Sequence, residues 1–523
     1  MSKPKSEQLF RLIKSLSKAE KKAFKLFASR YGNSTDGEGK IFSNLFDCVE
    51  QQSIYNEEEI LAAIKKLKPA QMSNMKAHLY QQILKCLSVI CSQNSVDLNV
   101  TEKIDHARIL YNKCLYRDCL KMIDKAKATA IESENRLLLL ELIELEKMAI
   151  KQTVEENIQE RVSKVIAESE QTAKTISNIN SFSNLSIKLS AFYNQIGFIR
   201  NVEDLDTVKN YFNHNLPDYD IEFLTVHELI YLYYSYCSYY YFIQDFEEGY
   251  YYAKKWMATF EDHPVMISRK PEMYIKALNN VLIAQHKLNL YTDFYETHRK
   301  LANLKRNKKI GFTANVNLNL FKTFYIHEIN RHFMTGEFTK GTQIVTKLTK
   351  ELNTLIPLLD KQTILIFYYK ISCLYFGSGD YKTCLKWLNK IINEQVSDIR
   401  EDIHVFARII RLISYYELGN RDQIDNQIKS TYRFLSKTKH LSEYHQLIIL
   451  FLKNLHYSKA ELRNSFISLK TNLLELEKDL FEKRAFIYFD IISWLESKIE
   501  NKPVEEICQQ KFLHTSNNTA SPV

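Results

Sequence analysis

The chain has 523 residues, 45% hydrophobic and 25% charged, with a formal net charge of +9. That is globular composition and excludes a disordered or collagen-like chain. Eleven glycines and eight prolines make up about 4% of it, against about 12% in a typical soluble protein, and this argues against turn-rich β-sandwiches and nucleotide-binding α/β sheets, which need glycine at positive-φ turns and phosphate loops.

Residues 1–30 carry nine Lys/Arg and two acids, the one concentration of charge in the chain. The start reads as an amphipathic helix rather than the apolar run of a secretory signal. Short helices are expected at about 6–16, 18–31, 40–52, 57–67 and 73–93. A glycine-bearing loop, Gly32 to Gly39, and the pair Lys68-Pro69 interrupt them. Together residues 1–98 read as an N-terminal helical cap domain. Ser17-Lys18-Ala19-Glu20 has the capping-box pattern, so a helix should begin at Lys18. Lys18, Lys21, Lys22 and Lys25 then share one ridge, with Ala19, Ala23, Phe24, Leu26 and Phe27 on the docking side. The lysine ridge is either a solvated face or a contact for phosphates, anionic lipid or an acidic protein.

From residue 99 to about 500 the apolar residues recur at three and four positions, the helical period. Arg136 to Leu145 is one such run, and no strand alternation bounded by tight-turn pairs accompanies it. The fold class is therefore all-α. A short unit also repeats. Phe376-Gly377-Ser378-Gly379-Asp380-Tyr381 followed by Cys384 is the clearest copy. Met334-Thr335-Gly336-Glu337-Phe338 with Gly341, Gln244-Asp245-Phe246 with Gly249, and Leu115-Tyr116 with Cys119 repeat it. Weaker copies sit at Gly197-Phe198-Ile199, Asn289-Leu290-Tyr291 and Gly419-Asn420-Arg421. Successive steps from Phe246 through Tyr291, Phe338 and Tyr381 to Arg421 are 45, 47, 43 and 40 residues. Proline follows the anchor by 18 or 19 residues at Pro217, Pro264 and Pro357, a stop for a second helix. The pattern is a helical hairpin: a sharp turn, an aromatic in the corner, and a small residue one turn on that lets the helices approach. One hairpin cannot bury its apolar face, so copies stack.

These residues resemble the tetratricopeptide-repeat (TPR) superfamily over roughly 100–460. The likeness rests on Gly379-Asp380-Tyr381…Cys384…Leu388, Gly336-Glu337-Phe338…Gly341…Val345 and Asp245-Phe246…Gly249…Ala253. The repeats are longer than the usual 34 residues, and the small residue of the first helix is replaced by Ile329 and Leu412. The opening of the chain also resembles that of uncharacterised bacterial proteins. The TPR resemblance implies a TPR-like α-solenoid of about eight or nine hairpins over 99–500, with 501–523 as a partly frayed tail. It places Tyr231, Tyr234, Ser238 and Tyr241 on the concave face of one first helix, and Asn330, Phe333, Tyr369 and Phe376 at equivalent positions of later copies.

Tyrosine is the most distinctive residue, with ten between Tyr231 and Tyr252. Large area, few rotamers and a wet hydroxyl suit it to peptide capture; aromatic-rich packing between helices is the alternative. The apolar stretch 231–243 is too short and hydroxyl-rich to span a bilayer, and no membrane contact is expected. Nine cysteines without a CxxC pair read as reduced thiols of a cytoplasmic protein. Gly336 to Thr342 lacks the lysine after the second glycine that a phosphate loop requires. His327 and His332 are five apart and do not share a helix face as zinc ligands would. No catalytic constellation, cofactor or metal site is indicated. The sequence points to a non-catalytic scaffold that binds a protein or peptide segment on its concave surface. The alternatives are a regulatory protein whose basic helix contacts nucleic acid, and an enzyme with an unrecognised site.

Overall fold

The computed structural model describes residues 7–31, 38–64, 67–92, 96–153, 158–196, 199, 201–307, 312–394, 400–437, 442–454, 459–479 and 481–519. Every regular element among them is helical: 25 α-helices and three 3-10 turns, with no strand. Contacts divide the chain into two compact units, residues 1–176 and 177–523.

In the first unit, α1 (Gln8–Ser15), α2 (Lys18–Tyr31), α3 (Glu38–Gln51), α4 (Glu57–Ala63) and α5 (Pro69–Ser92) enclose a core around Leu9, Ile13, Phe24, Phe46, Leu79 and Ile83. Most of the expected loop at 32–39 lies outside the described residues, and Gly39 belongs to α3. The capping box is present: the Ser17 N–H donates to Glu20 Oε2 (2.7 Å) and the Glu20 N–H to Ser17 Oγ (3.2 Å). Phe24 is buried, but Ala19 and Leu26, expected on the docking side, face solvent, because α3 and α5 cover less of α2 than a full apolar half. A second core lies among α6 (Val96–Asn112), α7 (Tyr116–Glu132), α8 (Arg136–Ile150) and the first part of α9 (Ile158–Ile196).

The second unit continues from α9 with α10 (Val202–Asn215), α11 (Val226–Ile243), α12 (Phe246–Asp262), α13 (Pro264–Arg269), α14 (Pro271–Lys287), α15 (Tyr291–Arg306), α16 (Ala314–Thr335) and α17 (Phe338–Leu355). It proceeds through α18 (Lys361–Gly377), α19 (Tyr381–Ile392), α20 (Glu401–Glu417), α21 (Arg421–Lys437), α22 (Glu443–Lys453) and α23 (Lys459–Leu476). A 3-10 segment (Glu482–Ile487) then leads into α24 (Ile491–Glu500) and α25 (Val504–Thr519). Helices pack on their sequence neighbours in a repeat-like order. The pairs α14/α15, α16/α17, α18/α19 and α20/α21 pack within themselves; α15 packs on α16, α17 on α18 and α19 on α20; and α14, α16, α18, α20 and α22 touch in succession.

One corner recurs. Six second helices begin at Tyr116, Phe246, Tyr291, Phe338, Tyr381 and Arg421, six of the seven expected copies of the repeat; of the seventh, Gly197-Phe198-Ile199, only Ile199 is among the described residues, and the helix after it begins at Val202. Two residues before each of the six stands a left-handed residue: Cys114, Gln244, Asn289, Gly336, Gly379 and Gly419, with φ between 55° and 82°. In five of the six, the next N–H reaches back five residues to a carbonyl of the first helix, as from Glu337 to His332 (3.0 Å) and from Asp245 to Tyr240 (3.0 Å). This is the Schellman closure, which satisfies carbonyls the helix end would otherwise orphan. The corner aromatics meet a ring from the preceding helix: Tyr116 on Tyr111, Phe338 on Phe333, Tyr381 on Phe376. The small residues mark close approach. A Cβ on Gly341 would sit 2.6 Å from a Leu374 methyl, and Cys119 and Cys384 are fully buried.

Candidate functional site

The eight groove residues expected from the sequence fall into two groups. Tyr231 stacks on His227 (5.5 Å), Tyr234 lies against Trp256 (5.1 Å) beneath the Lys276 ammonium, and the Ser238 hydroxyl donates to its own helix at the Tyr234 carbonyl (2.9 Å). All three are half-buried on α11. The neighbouring tyrosines pack between helices: Tyr236 stacks on Tyr252 at 4.1 Å and 5°, and Tyr240 follows at 5.4 Å and 13°.

Of the other five, Tyr369 and Phe376 touch a stretch of the chain itself, residues 481–490, which joins α23 to α24. The Tyr369 hydroxyl donates to the Tyr488 carbonyl (3.0 Å) and Phe376 meets Phe489 edge-on (5.0 Å). Asn330 and Phe333 both hold Lys370, the residue after Tyr369, through Asn330 Oδ1 (2.5 Å) and the face of the Phe333 ring (5.4 Å). Tyr241 meets Tyr193 (5.8 Å), whose phenol acts on Tyr488.

Further contacts complete the seat. Lys287, at the end of α14, donates to the Ile487 carbonyl (3.0 Å), and Phe406 of α20 stacks flat on Tyr488 (4.4 Å, 7°). Phe486 packs on Tyr444, and the Glu482 carboxylate accepts the first two N–H groups of α22, those of Glu443 (3.1 Å) and Tyr444 (3.2 Å). That carboxylate caps a helix end where unpaired donors attract negative charge. The segment, most of it the 3-10 turn Glu482–Ile487, is thus held by Lys287 and Tyr369 on its carbonyls, by its own Glu482 on the end of α22, and by ring contacts.

Electrostatics distinguish this region. Burial opposes ionisation of Asp402, yet the Arg400 guanidinium beside it (2.7 Å) and the Tyr488 hydroxyl outweigh that and hold its pKa below the ordinary value. Lys287 and Lys370 have no such partner: among the described residues neither ammonium has a carboxylate within ion-pairing distance. Burial, reinforced by the charge of Lys370, pushes Lys287 down to about 7. Burial pushes Lys370 down to about 8, with Cys373 opposing and Arg400 adding to the shift. His286 and His327 are driven well below their ordinary value, first by burial and then by these lysines.

In the first unit, the expected basic ridge is partly neutralised. Lys21 pairs with Glu50 (3.2 Å) and Lys25 with Asp47 (2.8 Å) and Glu50 (3.1 Å), all on α3, while Lys18 and Lys22 are exposed. A cavity of about 640 Å³ lies among α7, α8 and α9, with Leu120, Ile131 and Val165 in its wall. Its charges are paired: Lys127 with Glu146 (2.7 Å) and Glu168, and Arg161 with Asp124 (2.7 Å) and Glu146 (2.6 Å). Among the described residues no group of His, Cys, Asp and Glu could hold a metal ion, and no helix is long and apolar enough to cross a membrane.

Sequence reasoning missed Lys287, Lys370, Arg400, Asp402 and the 481–490 segment. Lys370 had a signal: it is the lone charge in the apolar run from Thr363 to Gly377. Lys287 had none. With this geometry in hand, comparison adds no name: the chain matches no family model and no curated protein.

Proposed function

We propose that this protein is a non-catalytic interaction scaffold of the TPR-like α-solenoid type, and that the face formed by its first helices binds a segment of another protein. The observation that carries the reading is the seat of residues 481–490. The first helices α14, α18 and α20 already hold a non-repetitive stretch of polypeptide there, using Lys287 and Tyr369 on its carbonyls and Phe376 and Phe406 on its rings. Side-chain donors aimed at main-chain carbonyls read a segment with little regard to its sequence, while aromatic slots supply selectivity and area. The six matching corners support a stacked-hairpin ribbon. Because the chain fills the α18/α20 part of this face itself, the partner's place is the neighbouring surface of α11, where Tyr231 and Tyr234 are half-buried and Lys276 lies over Tyr234.

The test is to identify proteins retained by the full chain from native cells, then measure their affinity for Tyr234→Ala and Tyr231→Ala proteins with unchanged helical content. A central interface tyrosine costs about 2 kcal/mol on truncation, roughly 30-fold in Kd. Affinity unchanged in both variants removes the α11 surface from consideration.

A further inference from the structure

Buried ammonium groups ordinarily sit beside carboxylates, because an unpaired charge in a low-dielectric interior is costly. Lys287 and Lys370 break that rule together. Each donates to a neutral oxygen, the Ile487 carbonyl (3.0 Å) and Asn330 Oδ1 (2.5 Å), so each, when protonated, lacks a counter-charge and keeps unused donor valences. Protein surrounds both side chains, yet both retain some exposed surface, so they line an interior recess that solvent reaches. Two imidazoles flank it. His286 precedes Lys287 on α14, and His327 of α16 is fixed in orientation by Asn279 (3.0 Å) and Asn330 (3.3 Å). The Asp402 carboxylate is committed to Arg400.

We infer that this recess, between Lys287 of α14, His327 of α16 and Lys370 of α18, is a binding site for a compact, doubly charged oxyanion of the phosphate class. Two helices, α14 and α18, bring ammonium donors to it, and its surroundings are neutral, with both ring nitrogens of His327 taken up by Asn279 and Asn330. A single carboxylate would balance one ammonium and leave the other; a phosphate dianion balances both and offers an acceptor to every donor. The ion would replace the missing counter-charge, and it is distinct from the segment-binding reading, which concerns α11. Binding also has a structural reach. Lys287 anchors the Ile487 carbonyl, so an anion that draws on this ammonium acts on the seat of residues 481–490.

The sign of the pH dependence follows from every group facing the two lysines: each other, His286, His327, Cys373, the Arg400–Asp402 pair and the Ile487 carbonyl. Lys287 loses its proton near about 7 and Lys370 near about 8 when the recess is empty. Affinity should therefore fall as pH rises through that window, although phosphate itself gains charge.

The experiment is isothermal titration of the full chain, in a phosphate-free buffer of constant ionic strength near pH 6.5, with inorganic phosphate and separately with phenyl phosphate. The expected result is saturable one-site binding of at least one probe. Phenyl phosphate binding alone identifies a phosphomonoester ligand, and phosphate alone a free ion. Lys287→Met and Lys370→Met should each weaken binding by roughly tenfold or more while Lys370→Arg retains most of it. The wild-type pH profile reads the same site without any variant and should show weaker binding at pH 9 than at pH 6.5. Absence of saturable heat with both probes, undiminished affinity in both methionine variants, or affinity that does not decline with pH would each overturn the inference.

Discussion

The two units each bury charge, and they do so in opposite ways. Around the first-unit cavity Lys127, Arg161, Glu146, Asp124 and Glu168 form a closed network, and Glu146 is 2% exposed yet meets both cations. Burial works against the Arg161 guanidinium, but Glu146 and Asp124 outweigh it and raise its pKa above the ordinary value. In the second unit Lys287 and Lys370 face neutral acceptors, and burial lowers both. A closed network holds helices in place and leaves nothing for a ligand to satisfy. An open one costs stability and keeps its donors available. This is why the first-unit cavity, with its charges paired, is the poorer site.

That contrast can be broken most sharply at Glu146. Glu146→Ala removes the carboxylate shared by Lys127 and Arg161, leaves each with its second partner, Glu168 or Asp124, and should cost about 2–3 kcal/mol in urea denaturation. Lys370→Met removes a cation that had no partner and should change stability by less than about 1 kcal/mol, or raise it. A small loss at Glu146, or a large one at Lys370, would erase the distinction. The next largest effect concerns the end of the second unit. Gly336 is left-handed, and a Cβ there would lie 2.6 Å from the Gln509 nitrogen of α25. Gly336→Ala should cost about 2 kcal/mol and expose 504–519 to limited proteolysis; an unchanged digestion pattern would show that α25 tolerates the added carbon.

A further effect separates the units by pH. The folded lysines release protons near about 7 and 8, whereas the unfolded chain keeps them until about 10.5. Between these limits the unfolded state binds more protons, so stability should rise with pH from about 7 to 10. Lys287→Met should flatten that rise in thermal melts, and an identical slope would place its charge elsewhere. The smallest expected change is at a corner. Cys114 is left-handed and exposed, and Cys114→Gly should gain about 0.5 kcal/mol by relieving that backbone, measured as a shift in denaturation midpoint.

The corners were the most legible part of the chain. Six of the seven anchors, Tyr116, Phe246, Tyr291, Phe338, Tyr381 and Arg421, open a helix, because a Schellman turn and a corner ring are local devices built within about ten residues. The glycine signal was only half of it: Cys114, Gln244 and Asn289 take the left-handed position without glycine. The proline spacing also held, since Pro264 opens α13 and Pro357 lies in the 3-10 turn Ile356–Leu358. The candidate site was less legible. The TPR resemblance puts Tyr369 and Phe376 at concave positions, but nothing in that register announces that they meet residues from 481 onward.

By itself, the order of residues determined that this chain is helical, where six of its hairpins turn, and which helix faces are apolar. Those properties rest on backbone sterics and a 3.6-residue period, which act over a few turns. Tertiary structure alone decided which residues far apart in the sequence would meet: Tyr369 with Tyr488, Gly336 with Gln509, and Lys287 of α14 with the charge of Lys370 of α18. Such meetings depend on how successive hairpins stack and where the chain returns, and no local spacing encodes that return.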